Sequence, residues 1–172
     1  MLSLSDNEFS VISFLVRNFT ERLTIRNIAH RLNFSPAGVF NILKKLEKEK
    51  IVTGEKLGTG LFYSINFENR IAEHLASIVL LYSKEKIEID VEKLKGVNAA
   101  ISDKKNLLLI TDNVSILDIS IPNFDVIIKN EDEIVDLLRK KHPQTLELLK
   151  NGNVLFGEDK IVQIIKKCVS RF

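Results

Sequence analysis

Residues 34–67 read FSPAGVFNILKKLEKEKIVTGEKLGTGLFYSINF, and a change of period inside this stretch decides the fold of the N-terminal part of the chain. Ser35 followed by Pro36 is a helix start, with serine as the cap and proline at the first helical position. Val39, Leu43 and Leu46 then recur at helical spacing and leave an opposite face that is polar and basic. Beyond Lys50 the pattern becomes that of strands. Two β-prone runs, 51–56 and 61–67, flank LGTG, whose glycines permit the positive φ angles of a hairpin loop.

Upstream, LSDNEFSVISFLVRNF (4–19) offers Ser5 or Asp6 as an N-cap and sets Phe9, Ile12, Leu15, Val16 and Phe19 at helical intervals. RLTI (22–25) is short and β-prone. IRNIAHRLN (25–33) places Ile25, Ile28, Ala29 and Leu32 on one face of a second, shorter helix. Helix, short strand, helix, turn, helix, hairpin is the element order of a winged helix-turn-helix. In such a unit the third helix enters the major groove of DNA. Its exposed positions here are Ser35, Ala37, Gly38, Phe40, Asn41, Lys44, Lys45 and Lys48, with Lys56 and Thr59 at the tip of the wing. Asn41 can offer a paired donor and acceptor to adenine, and the lysines can neutralise phosphates. Ala37 and Gly38 are small enough for close approach. Phe40 either touches a thymine methyl or packs inside.

Charge supports the assignment locally. The 172 residues carry a formal net charge of only +2, but residues 22–56 hold eight Lys/Arg against three Asp/Glu. That segment is an electropositive footprint within a nearly neutral chain. The composition, 45% hydrophobic and 28% charged with mean hydropathy +0.05, is that of a soluble globular chain long enough for one large or two small domains. One cysteine, Cys168, excludes an intrachain disulfide and a cysteine-based zinc site, and its apolar neighbours predict a packed thiol. No apolar run reaches the roughly 18 residues of a membrane span, and no basic-then-apolar leader opens the chain, so a cytoplasmic location is expected.

Past the hairpin, ENRIAEHLASIVLLYS (68–83) predicts a long helix with Ile71, Leu75, Ile78, Val79 and Tyr82 along one side, either an interdomain connector or a dimerisation helix. The charged stretch 84–96 follows it. VNAAIS (97–102) and NLLLITD (106–112) predict two strands, with further strand signal in ILDISI and NFDVIIKN. EDEIVDLLRKKH and PQTLELLKNG predict helices, the second with Pro143 at its start and Gly152 at its C′ position. NVLFG and EDKIVQIIKKCVSRF add a strand and a last helix. The expected fold is α+β: residues 1–67 a winged helix-turn-helix, 68–95 a connector, and 96–172 a small α/β domain with a mixed sheet.

Two resemblances add to this reading. Residues 9–67, about a third of the chain, resemble the winged-helix domains of MarR-like and ArsR-like regulators through SPAGVFNILKKLEKEKIV and the glycine-bearing hairpin. The segment FDVIIKNEDEIVDLLRKKHPQTLELLKNGNVLFGED resembles the C-terminal part of nucleotidyltransferase-fold proteins, in which an Asp-x-Asp at the head of a strand holds two magnesium ions. That resemblance sets Lys104 and Asn106 at the two aspartate positions and shrinks the phosphate loop to Ser102–Lys105. It therefore implies the fold without the enzyme, because lysine and a single amide cannot replace a carboxylate pair. Asp112 closes its strand and reads as a turn former, although a cluster with Asp118 and Asp125 is conceivable. His30, His74 and His142 are never at ligand spacing.

The expected function is a DNA-binding transcriptional regulator of double-stranded DNA, with no catalytic residue, cofactor, metal or membrane partner. Its C-terminal domain would serve dimerisation, sensing of a small-molecule effector, or binding of a protein partner. The alternatives are an active nucleotidyltransferase with atypical ligands and a protein–protein adaptor.

Overall fold

The computed structural model describes residues 4–82, 89, 94–113 and 120–169, and the chain divides into two units, Met1–Val79 and Leu80–Phe172. In the first, α1 (Asp6–Arg17) begins at a capping box: the Ser5 hydroxyl accepts from the Glu8 amide at 3.3 Å, and the Glu8 carboxylate accepts from the Ser5 amide at 2.8 Å. Thr24 and Asn27 start α2 (Ile25–Leu32) in the same way. Asn33 ends it in the left-handed region, φ 55°, a conformation that asparagine tolerates better than most residues. Two residues later Ser35 caps α3 (Pro36–Lys48). Val11, Ile12, Val16, Ile28, Val39, Leu43 and Leu46 are wholly shielded from solvent and form the core of this unit.

The hairpin pairs β1 (Val52–Leu57) with β2 (Gly60–Ile65), antiparallel, with Leu57 opposite Gly60. Gly58 and Thr59 make the turn. Only Gly58 has a positive φ (58°), the pattern of a type II′ turn with glycine at its first central position. The β-prone RLTI contributes a single bridge, Leu23 to Tyr63, through the Tyr63 amide and the Leu23 carbonyl at 2.9 Å.

Helix α4 (Arg70–Leu81) differs from the sequence expectation. The five residues assigned to one side fall on two faces. Leu75 and Val79 are buried with Ala72 and Ala76, whereas Ile71, Ile78 and Tyr82 are exposed. The buried arc is centred on Ala72 and Ala76 and takes in Leu80, so the inner face is rotated away from the stripe marked by the larger side chains.

The second unit contains β3 (Ala99–Ser102), β4 (Asn106–Ile110), β5 (Asp125–Lys129), α5 (Glu131–Arg139), α6 (Pro143–Asn151), β6 (Asn153–Phe156) and α7 (Glu158–Val169). The strand order is β5-β4-β3-β6; β4 and β5 run parallel and the other neighbours antiparallel, so the sheet is mixed as expected. The run NLLLI is a central strand. Leu107 and Leu109 enter one apolar cluster with Ala100, Leu94 and Ile121, while Leu108 and Ile110 point to the other face and are equally buried. The ILDISI segment lies largely outside the described residues.

Gly152 is the C-cap of α6 with an extended backbone (φ −73°, ψ 159°), not a left-handed C′ residue. Its reason is close approach: an added Cβ would lie 2.4 Å from the Leu148 carbonyl oxygen and 2.9 Å from Ile101 Cγ2. Cys168 is buried near the Val135 carbonyl, and burial pushes its thiol pKa up while Arg139 opposes this more weakly.

Candidate nucleic-acid interface

The geometry of α3 follows from its two faces. Val39, Leu43 and Leu46 are fully buried, and Ser35, Ala37, Phe40, Asn41, Lys44, Lys45 and Lys48 are exposed on the other side. The Ser35 hydroxyl accepts from the Gly38 amide at 3.1 Å, so its polar atom is engaged in capping. A Cβ on residue 38 would sit 3.0 Å from that same oxygen, which gives Gly38 a local reason for being glycine. Phe40, left open by the sequence, is 46% exposed, and the Lys44 ammonium lies 5.9 Å from its ring centroid. The side chains of Asn41, Lys48, Lys56 and Thr59 make no hydrogen bond or ion pair among the described residues.

Lys45 is different. Its ammonium lies 2.7 Å from a carboxylate oxygen of Glu8, whose side chain is 8% exposed. Glu8 thus serves two elements at once, capping α1 with one oxygen and tying α3 to α1 with the other. Burial pushes the Glu8 pKa up, but the bonds from Lys45 and Ser5 together outweigh it and hold the group below the usual glutamate value. A second tie runs from α3 to the wing, where the Glu47 carboxylate accepts from the Gly54 amide at 3.2 Å.

Sequence reasoning passed over two arginines, Arg22 just before the N-cap of α2 and half-buried, and Arg26 in its first turn and exposed. The first helix of a helix-turn-helix pair crosses the DNA backbone, so the polar face opposite Ile28 and Ala29 was the signal that could have found Arg26. Arg31, also on α2, is used internally. It pairs with Glu21 at 2.5 Å, donates to Asn18 at 2.8 Å, and lies 4.7 Å from the Phe14 ring centroid.

The second unit does not gather the carboxylates that the sequence left open. Asp125 stands beside Asn106 at the start of the parallel ladder, while Asp112 lies beyond Ile110 at its other end. Asp118 is outside the described residues. Asp112 accepts from the Asn98 amide group at 2.8 Å, and it is Thr111 that bonds the local backbone, accepting from the Asn113 amide at 3.2 Å. Among the described residues, no group of three or more His, Cys, Asp or Glu could hold a metal ion. His30 and His74 are exposed, and His142 precedes α6 with its ring 3.2 Å from the Thr145 hydroxyl. No described helix is long and apolar enough to cross a membrane.

The first unit is a winged helix-turn-helix domain by its element order, its two-stranded wing and the exposed face of α3. Residues 4–53 match the sequence family described as winged helix-turn-helix DNA-binding. Among solved structures, one similar to this chain is described as "The Structure of CymR (YrzC) the Global Cysteine Regulator of B. subtilis". It shares 14% identity over 55% of this chain and 80% of that one, with a TM-score of 0.35, and at those values it adds nothing to the geometry above. No curated protein matches the chain.

The Glu8 arrangement makes a pH prediction. A group whose folded pKa is depressed contributes stability that is present above its unfolded pKa and is lost as the pH falls through the folded value. Glu8→Gln should therefore cost roughly 1–2 kcal/mol at pH 7, and its difference from wild type should vanish on acidification below the ordinary carboxylate range. Urea melts followed across that range check this. A pH-independent difference would remove the charge from the explanation.

Proposed function

We propose that this protein is a DNA-binding transcriptional regulator that grips double-stranded DNA with α3 and the wing. The observation that carries the reading is the largely unengaged polar face of α3: among the described residues Asn41 and Lys48 have no hydrogen-bond or ion-pair partner, and Lys44 has no ion pair, its ammonium lying 5.9 Å from the Phe40 ring centroid. In this role Asn41 reads adenine, Lys44 and Lys48 bind phosphates, Ala37 allows close approach, and Lys56 and Thr59 carry the wing to the backbone. Arg26 of α2 and Arg22 just before it add phosphate contacts. Lys45 contributes by positioning α3 through Glu8.

Each phosphate contact contributes to the salt dependence of binding, with a slope of about −0.9 per neutralised phosphate. Lys44→Glu with Lys48→Glu should weaken binding to duplex DNA by at least tenfold at low salt and reduce the slope by about 2. Filter binding from 50 to 300 mM salt measures both. An unchanged slope would rule out phosphate contacts by these lysines and favour the adaptor reading. Lys45 is left intact in this test because its substitution would disturb the anchor to α1.

The proposal includes a homodimer, since one winged helix makes few base contacts and a two-fold pair reads two half-sites. Ile71 and Ile78 on α4 are 54% and 52% exposed, on the face opposite the alanines. Light scattering should give twice the 19.6 kDa chain mass, with Ile78→Lys reverting to the single mass. A wild-type protein that runs as a monomer at all concentrations would exclude it.

The C-terminal unit, on this proposal, is a non-catalytic nucleotidyltransferase-like domain used for sensing or partner binding. In support, the segment that would carry the phosphate loop is a closed hairpin turn. Asp103 accepts from the backbone amides of Lys105 and Asn106, both at 2.7 Å, and from the Asn106 side chain at 2.9 Å. Asn106 in turn accepts from Gln144 at 3.0 Å. Burial pushes the Asp103 pKa up, but these bonds outweigh it and lower it overall. Asn106→Asp should cost roughly 1–3 kcal/mol at neutral pH by replacing a donor with a second carboxylate, and calorimetry with ATP and magnesium should register no binding. Nucleotide binding by the wild type would reinstate the enzyme reading.

A further inference from the structure

Phe40 is an anomaly on a polar surface. The inner face of α3 is formed by Val39, Leu43 and Leu46, all with no solvent exposure, whereas the phenyl ring lies outside that sealed row and stands 46% exposed beside Asn41. Positions 37, 40, 41, 44 and 48 follow helical spacing and share one face, which puts the ring between the small Ala37 and the cations Lys44 and Lys48. The Lys44 ammonium, one turn on, lies 5.9 Å from the ring centroid.

A major groove offers little to such a side chain. Base edges there present hydrogen-bond donors and acceptors, with one apolar exception, the C5-methyl group of thymine. We infer that Phe40 is a specificity residue that covers a thymine methyl next to an adenine held by Asn41. This rests on the DNA-binding reading above and narrows it to sites with A·T pairs under the N-terminal half of α3. A protein partner with an apolar pocket is the competing occupant, and the flanking lysines with the unpaired Asn41 amide favour a polyanion with base edges.

The test uses the full chain and duplexes it selects from a random pool at low salt. Each thymine is replaced in turn by uracil, which removes the methyl and keeps the base pair. One position should weaken wild-type binding about fourfold, the equivalent of one buried methyl. Phe40→Ala should bind more weakly, yet be indifferent to uracil at that position, giving a coupling in the double-mutant cycle. Because the ring is outside the sealed row of α3 and 46% exposed, the variant should stay folded and lose only about a few degrees of melting temperature. Tolerance of uracil at every position, equal sensitivity in Phe40→Ala, or a bound pool with no preferred sequence each overturns the inference. If duplexes are retained and depend on Lys44 and Lys48 while uracil has no effect, only this inference falls. If no duplex is retained, the DNA-binding reading falls with it.

Discussion

Everything the first unit presents outward depends on how firmly one side of α3 is held inward. Three aliphatic residues, Val39, Leu43 and Leu46, are sealed in the core, and hydrophobic burial of this kind supplies most of the stability of a short helix. Burial alone fixes the rotation of a helix better than its position along its axis. Here the Lys45–Glu8 pair pins one end region to α1, and the Glu47–Gly54 bond joins the helix to the wing. The exposed face is thus carried on a framework whose polar contacts are satisfied elsewhere, as a preorganised recognition surface requires.

Much of that framework was legible in the sequence because its signals are local. Ser35-Pro36, the 3–4 spacing of the apolar residues and the glycines around Thr59 act within one turn of chain, and the helix and hairpin fall where they predict. Where the reading and the structure differ, the cause is packing that local periodicity does not encode. The pairing of Lys45 with Glu8 could not be read from the sequence because the two lie 37 positions apart. Gly152 looks like a left-handed cap, whereas its constraint comes from Ile101 and the Leu148 carbonyl. The apolar stripe of α4 is counted as one because periodicity cannot tell how wide a neighbour's groove is. For the candidate interface, residue types could be chosen from the sequence, but whether Phe40 faces in or out required the packed core.

The second unit illustrates the same distinction in polar groups. Its central strand is an unbroken apolar run because both faces are covered, and the strand's ends carry the chemistry that keeps the sheet closed. At one end the Asp103–Asn106–Gln144 network consumes its own donors and acceptors. At the other, Glu131 at the start of α5 is held by Lys160 and Lys167 of α7, whose hydrogen bonds lower its pKa. Buried or half-buried polar groups arranged this way rigidify a fold.

The sealed position of Cys168 has a practical consequence. As the only sulfhydryl in the chain, enclosed by apolar neighbours and with its ionisation disfavoured, it leaves the folded surface inert to maleimides and to air oxidation. A cysteine introduced at Thr59, on the turn of the wing, would then be the sole reactive handle on the native protein. Spectroscopic labels or photo-cross-linkers could be attached there without first engineering the natural sulfur away.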